Sequence, residues 1–174
     1  MLSTLWELFF SICCFSKGPE DVPMSKEFLI LSLFVYSLAS FILALPGQPV
    51  EIALLSGLID SFLLAVLCYF LLYSWRKPER WVQVTTALTC TGIIFSVAAI
   101  PLFYLLAYIG QEEPVALWLF LLVAILLIWN VAVMAHIMRH ALSSSFAVGV
   151  IAALFYIGVS TVSINSLVPQ QNIL

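Results

Sequence analysis

Charge is what this sequence has least of. Lys and Arg number six and Asp and Glu nine among 174 residues, only 9% of the chain. Nucleic-acid recognition needs a basic patch interleaved with aromatics on a polar surface, and a net charge of -3 with no such patch excludes that class of partner. Catalytic signatures are missing too: there is no Gly-rich phosphate loop, no His-rich cluster and no nucleophile paired with a base. The expectation is a protein that is not an enzyme. Cysteine is sparse and badly spaced for structural chemistry. Cys13 and Cys14 are adjacent, and Cys68 and Cys90 lie inside apolar runs, which suits small packing thiols rather than a zinc site or a disulfide framework. His136 and His140 stand at i, i+4, but two ligands without an acid do not complete a metal set, so neither metal nor cofactor is implied.

What fills the chain instead is apolar. Hydrophobic residues make up 64% of it, against roughly 45 to 50% in a soluble domain, and the mean hydropathy is +1.17. Lipid must solvate the surplus, so the fold class is all-α: a polytopic membrane protein built as a five-helix transmembrane bundle. Apolar runs at about 28–45, 52–74, 82–109, 115–138 and 144–167 are the spans; the 23 residues of the second are long enough at 1.5 Å per residue to cross a hydrocarbon core of about 30 Å. Residues 28–174 form the transmembrane domain, and 1–27 precede it.

The leading residues 2–15, LSTLWELFFSICCF, place Ser3, Glu7 and Ser11 on one helical stripe and are too short to span. They read as an interfacial amphipathic helix, either a plain anchor or a docking element for a partner. No basic n-region or small-residue cleavage site marks a signal peptide. The polar segment SKGPEDVPMSKE follows, with Ser25 as the N-cap of the first span. Pro46-Gly47-Gln48-Pro49 turns the chain straight into the second span. Pro101 predicts a bend near residues 97–101 of the long third span, and Gln111-Glu112-Glu113-Pro114 forms an acidic turn before the fourth. Thr85, Thr89, Gly92 and Ser96 recur at helical spacing as a small, hydroxylated face, and Gly149-x-x-x-Ala153 is a small-x-x-x-small contact; both suit close helix packing in lipid.

All six basic residues fall on one side of a five-span arrangement: Lys17 and Lys26 before the first span, Arg76, Lys77 and Arg80 between the second and third, and Arg139 between the fourth and fifth. Glu51, Glu112, Glu113 and the uncharged tail PQQNIL fall on the other. The positive-inside rule then sets the N-terminus in the cytoplasm and the C-terminus across the membrane, in the periplasm if this is a bacterial inner membrane.

Asp60 is the one carboxylate that must sit deep in the bilayer, about 12 Å from the start of its span. Intramembrane acids are functional candidates by default. Counting along the other spans brings Ser40, Ser96 and Tyr156 to similar depth, making a candidate polar cluster with Asp60; Asn130, Thr85 and Thr89 are secondary polar positions. No basic residue reaches that level, so a neutral, hydrogen-bonded acid is expected. Three roles stay open for it: structural glue, proton or cation coupling, and contact with another subunit.

Five spans, an amphipathic lead-in, a C-terminus just past the fifth span, and FSVAAIPLF (Phe95 to Phe103) in the third together resemble the bacterial branch of the Yip family, the Ypt-interacting five-span membrane proteins. Eukaryotic members carry a long N-terminal region with an Asp-Leu-Tyr-Gly-Pro motif, of which only Gly18-Pro19 within KGPEDVP has a counterpart here. The resemblance therefore implies the architecture and a scaffold or adaptor role, with the bilayer, a membrane-protein partner or a second copy as what it contacts, and not a GTPase partner. The alternative is a small transporter or channel component that uses Asp60 for proton or cation coupling.

Overall fold

The computed structural model describes residues 2–109 and 114–167; Met1, residues 110–113, which include Gln111, Glu112 and Glu113 of the acidic turn, and the tail from residue 168 lie outside the described residues, as do the side chains of residues 2–4, 114 and 167. Six helices follow one another: α1 (Leu2–Cys13), α2 (Lys26–Ala44), α3 (Val50–Ser74), α4 (Trp81–Ile109), α5 (Pro114–Leu142) and α6 (Phe146–Leu167). From α2 onward, all five are long and apolar enough to cross a membrane. This is an all-α polytopic bundle. Proline punctuates it as its chemistry requires, opening or entering the short 3₁₀ turns Pro19–Asp21, Leu45–Gly47 and Pro78–Arg80, where its fixed φ fits and its missing N–H costs nothing. Ser25 caps α2, accepting from the Phe28 amide at 3.2 Å. Helix α4 stays helical on both sides of Pro101.

Most span boundaries fall within two residues of the sequence expectation; the turn between α5 and α6 shows why they move. The fourth span does not stop at Met138: α5 runs on to Leu142, because side chains from another loop satisfy its last carbonyls. The fifth begins at Phe146, since Ser143 adopts φ 51° and, with Ser144, closes α5 in a Schellman-type turn (Ser144 N–H to Arg139 C=O, 3.0 Å). Arg76 and Phe15 close α3 and α1 in the same way, at φ 58° and 61°.

Neighbour contacts close the spans into a ring in the order α2, α3, α6, α5, α4, with α3 and α4 also touching. Along its axis the bundle has two different halves. Toward the end that carries the basic residues, Leu64, Leu72, Val84, Leu88, Ile137 and Ala153 belong to one continuous buried core. Toward the other end the ring encloses a cavity of about 520 Å³, lined from all five spans. Outward-facing Phe34, Phe62, Trp118, Ile128, Ile151 and Phe155 are largely exposed, as a lipid-facing surface requires.

Helix α1 forms as its pattern predicts, but its apolar side has a seat on protein. Phe9, Ile12 and Cys13 are buried in the core against α4 and α5, while Trp6 and Phe10 face outward. The indole N–H of Trp129 donates to the Cys13 carbonyl at 3.0 Å. Trp129 lies ten residues, or about 15 Å, inward of Arg139 along α5. From that depth the chain climbs back out: the Lys17 carbonyl meets His136 Nε2 (3.0 Å), the Val22 carbonyl accepts from Gln83 Nε2 (2.8 Å), and His140 Nδ1 lies 3.1 Å from Glu20. The segment from α1 to Val22 is thus wedged into the basic half of the bundle.

Candidate intramembrane carboxylate site

Asp60 sits in the middle of α3, and the helices flanking α3 in the ring, α2 and α6, each present a tyrosine and a serine one turn apart. From α2, Tyr36 Oη donates to Asp60 Oδ2 at 2.7 Å and Ser40 Oγ lies at 3.5 Å from the same oxygen. From α6, Tyr156 Oη and Ser160 Oγ both donate to Oδ1, each at 2.7 Å. The i, i+4 spacing is what aims both hydroxyls of a pair at one point, since residues four apart share a helix face. Four hydroxyls matched to a carboxylate fill its four lone-pair sites in the ionised form; a neutral acid uses the same set with one hydroxyl turned to accept.

Close packing makes this convergence possible. A Cβ at Gly92 of α4 would lie 2.6 Å from Tyr36 Cε2, so the glycine leaves room for the ring that reaches across to Asp60. Gly57, one turn before Asp60, lets α3 approach α2 closely: a Cβ there would be 2.7 Å from the Ser37 carbonyl oxygen. Thr89 adds a third polar tie, donating to Ser32 Oγ at 2.8 Å between α4 and α2. Thr85, one turn before Thr89 on α4, is fully buried and its hydroxyl has no hydrogen-bond partner.

Of the cluster expected from depth, Tyr156 and Ser40 are therefore gathered at Asp60, and Ser96 is not. Ser96 lines the cavity from α4, which stands beside α2 and α5 in the ring rather than beside α6, and it makes no bond to the carboxylate. Asn130 lines the same cavity from α5. Tyr36 and Ser160 were not anticipated, although a signal existed: YSLAS (36–40) and YIGVS (156–160) are the same Tyr-x-x-x-Ser pattern on two spans.

Gly149 lies against the backbone of Ala135, where any side chain would strike the Ala135 carbonyl, and Ala153 is fully buried. Among the cations, Lys17, Lys26, Arg76 and Arg139 are exposed, whereas Lys77 and Arg80 are engaged. Lys77 Nζ donates to the Leu142 carbonyl (3.1 Å) and to Ser143 Oγ (2.6 Å), and Arg80 Nη1 reaches the His140 and Ala141 carbonyls at 3.3 and 3.4 Å. Both sit on the negative end of the α5 dipole. None of these cations lines the cavity, and the one close contact between a basic and an acidic side chain among the described residues is His140 with Glu20.

The cavity wall is chiefly aliphatic and aromatic; its polar side chains are the Asp60 group, Gln48 in the α2–α3 turn, whose Oε1 accepts from Ser56 at 3.3 Å, and Thr91, Ser96, Asn130 and Thr161. Its floor, formed by Leu64, Leu88 and Met134, is the top of the solid core. Such a concave, mostly apolar space with a few converging polar groups has the make-up of a small-molecule site. Compared with known proteins, the chain matches no family model, no curated protein and no solved structure.

Proposed function

We propose that this chain is a non-enzymatic integral membrane protein that acts as a small transporter component, taking a solute into the cavity ringed by its five spans and using Asp60 as the charged anchor. One observation carries this reading: among the described residues, the one carboxylate deep within a span, rather than at its end, stands on the wall of a cavity of about 520 Å³ that no cationic side chain lines. A carboxylate held that deep calls for a proton or a cation, and either one couples the site to what enters it. The one-sided cations further support a cytoplasmic N-terminus, which in a bacterial inner membrane sets the C-terminus in the periplasm.

The test is what stays with the protein. Native mass spectrometry of the wild type, released from a mild detergent, should find a small molecule bound one per chain. Asn130→Phe, which fills the cavity from a half-buried position, should lose it. A bare wild-type chain, or a species retained equally by Asn130→Phe, would overturn the reading.

A scaffold or adaptor role, which the Yip resemblance implies, is favoured by a separate observation. Four hydroxyls from α2 and α6 tie Asp60 into a three-helix junction, as structural glue would. Under that reading Asp60→Asn keeps donor and acceptor capacity and leaves cellular activity intact; under the transporter reading it abolishes activity at normal protein levels, and Asp60→Glu retains part of it.

A further inference from the structure

We propose that the cavity accepts a lipophilic organic cation whose head carries no N–H donors, such as a quaternary ammonium. This deepens the transporter reading and rests on it. The argument begins with lone pairs. Tyr36 and Ser40 approach one oxygen of Asp60, and Tyr156 and Ser160 the other, so hydroxyls already fill the acceptor sites of the ionised carboxylate. Hydroxyls solvate the anion but do not cancel its charge. Among the described residues no Lys, Arg or His lines the cavity, so whenever Asp60 is ionised the balancing charge comes from what occupies the cavity.

A primary ammonium would bring three N–H donors; with the Asp60 oxygens already filled, it is left the neutral hydroxyl oxygens around them and Thr91, Ser96 and Asn130 elsewhere on a mostly apolar wall, weaker acceptors than the carboxylate. Every unmatched donor is a desolvation penalty. A quaternary head asks for no acceptor: it is attracted by charge alone and keeps its methyl groups against apolar surface. Tyr36, Tyr156 and Phe95 line the same space and supply the aromatic walls that attract such cations. The body of the ligand is set by the rest of the lining, where Leu43, Phe103, Leu126 and Ile157 offer no hydrogen bond. An aryl or short alkyl group suits it.

Three probes that share a benzyl body separate the contributions: benzyltrimethylammonium, its neutral carbon isostere neopentylbenzene, and benzylammonium, which trades the three methyl groups for three N–H donors. Radiolabelled benzyltrimethylammonium, applied to the purified full chain in maltoside micelles by equilibrium gel filtration, should be retained at one per chain. Neopentylbenzene and benzylammonium should each compete about tenfold or more less well, and Asp60→Asn should weaken retention by about tenfold or more. Tyr36→Phe keeps the charge and the ring but frees a lone pair on Oδ2, so it should narrow the gap between benzylammonium and the quaternary probe. A gain of that kind cannot come from misfolding. Equal competition by neopentylbenzene, or full retention by Asp60→Asn, would overturn the cation proposal while the cavity still binds. Benzylammonium matching the quaternary probe on the wild type would overturn the donor-free head. If none of the three probes is held, the cation proposal fails; should native mass spectrometry nevertheless find another species in the cavity, the transporter reading survives it.

Discussion

At the scale of single residues, Gly92 does more for the site than any polar neighbour except those touching Asp60. Its missing side chain is the space that the Tyr36 ring occupies, and the ring holds the hydroxyl 2.7 Å from Oδ2. Gly92→Ala should therefore cost about 1 to 3 kcal/mol, the usual range for overpacking a core. Because the clash is with one ring, the cost should largely vanish when Tyr36 is first reduced to Ser; a double-mutant cycle on thermal unfolding in detergent measures the coupling. An equal cost in both backgrounds would mean that the glycine serves the helix backbone instead. Sequence alone carried Asp60, because a lone carboxylate in an apolar run has no ordinary explanation, and Tyr156, because rise per residue fixes depth. It could not choose between Ser96 and Ser160. Depth is a one-dimensional count, whereas partnership depends on which helix stands next to which, and the ring order is set by packing across the whole bundle.

Individual helices show what the charges are for. Lys77 and Arg80 are two of the six cations that orient the chain by the positive-inside rule, yet their side chains rest on the last carbonyls of α5. Helix ends leave four carbonyls unsatisfied, and a cation there gains both hydrogen bonds and the dipole. Lys77→Met and Arg80→Met should each destabilise the bundle by about 0.5 to 1 kcal/mol, and together by about the sum, as read from unfolding in mixed detergent micelles. The apolar stems are kept in these variants, so an unchanged midpoint would mean that the cap adds nothing. The same contacts explain why the fourth span outran its expected end: the sequence announces Arg139 as a stop, but a loop from sixty residues earlier supplies the partners that let α5 continue. Long-range capping of this sort leaves no local pattern to read.

For the molecule as a whole, the division into a packed half and a hollow half means that α1 belongs to the packed one. The five spans and the amphipathic first helix were legible as periodicity and length; the seat of α1 was not, because an apolar stripe looks alike whether lipid or protein covers it. Thiol chemistry distinguishes the two. Cys13 is buried in the core, and burial, reinforced by the neighbouring Cys14, pushes its thiol up to about 11, whereas Cys14 is exposed. The reactive thiolate is therefore scarce at Cys13 on two counts, access and charge. In a variant with Cys68 and Cys90 changed to Ala, brief treatment with N-ethylmaleimide in detergent at pH 7.5 should add one label, at Cys14. Cys13 should follow only when the bundle is unfolded. Equal labelling of both at once would show α1 lying free on the lipid surface.

The wedge between α1 and Val22 also sets an order in time. Its partners Trp129, His136 and His140 lie 116 to 120 residues further along the chain. At synthesis rates of about 5 to 20 residues per second, the segment leaves the ribosome on the order of ten seconds before its seat exists. Throughout that interval Phe9, Ile12 and Cys13 have no protein to bury them, and the membrane surface is the cover at hand. The amphipathic stripe is then the feature that keeps the segment soluble in the interface while it waits, and the last step of assembly is its transfer from lipid to protein once α5 is in place.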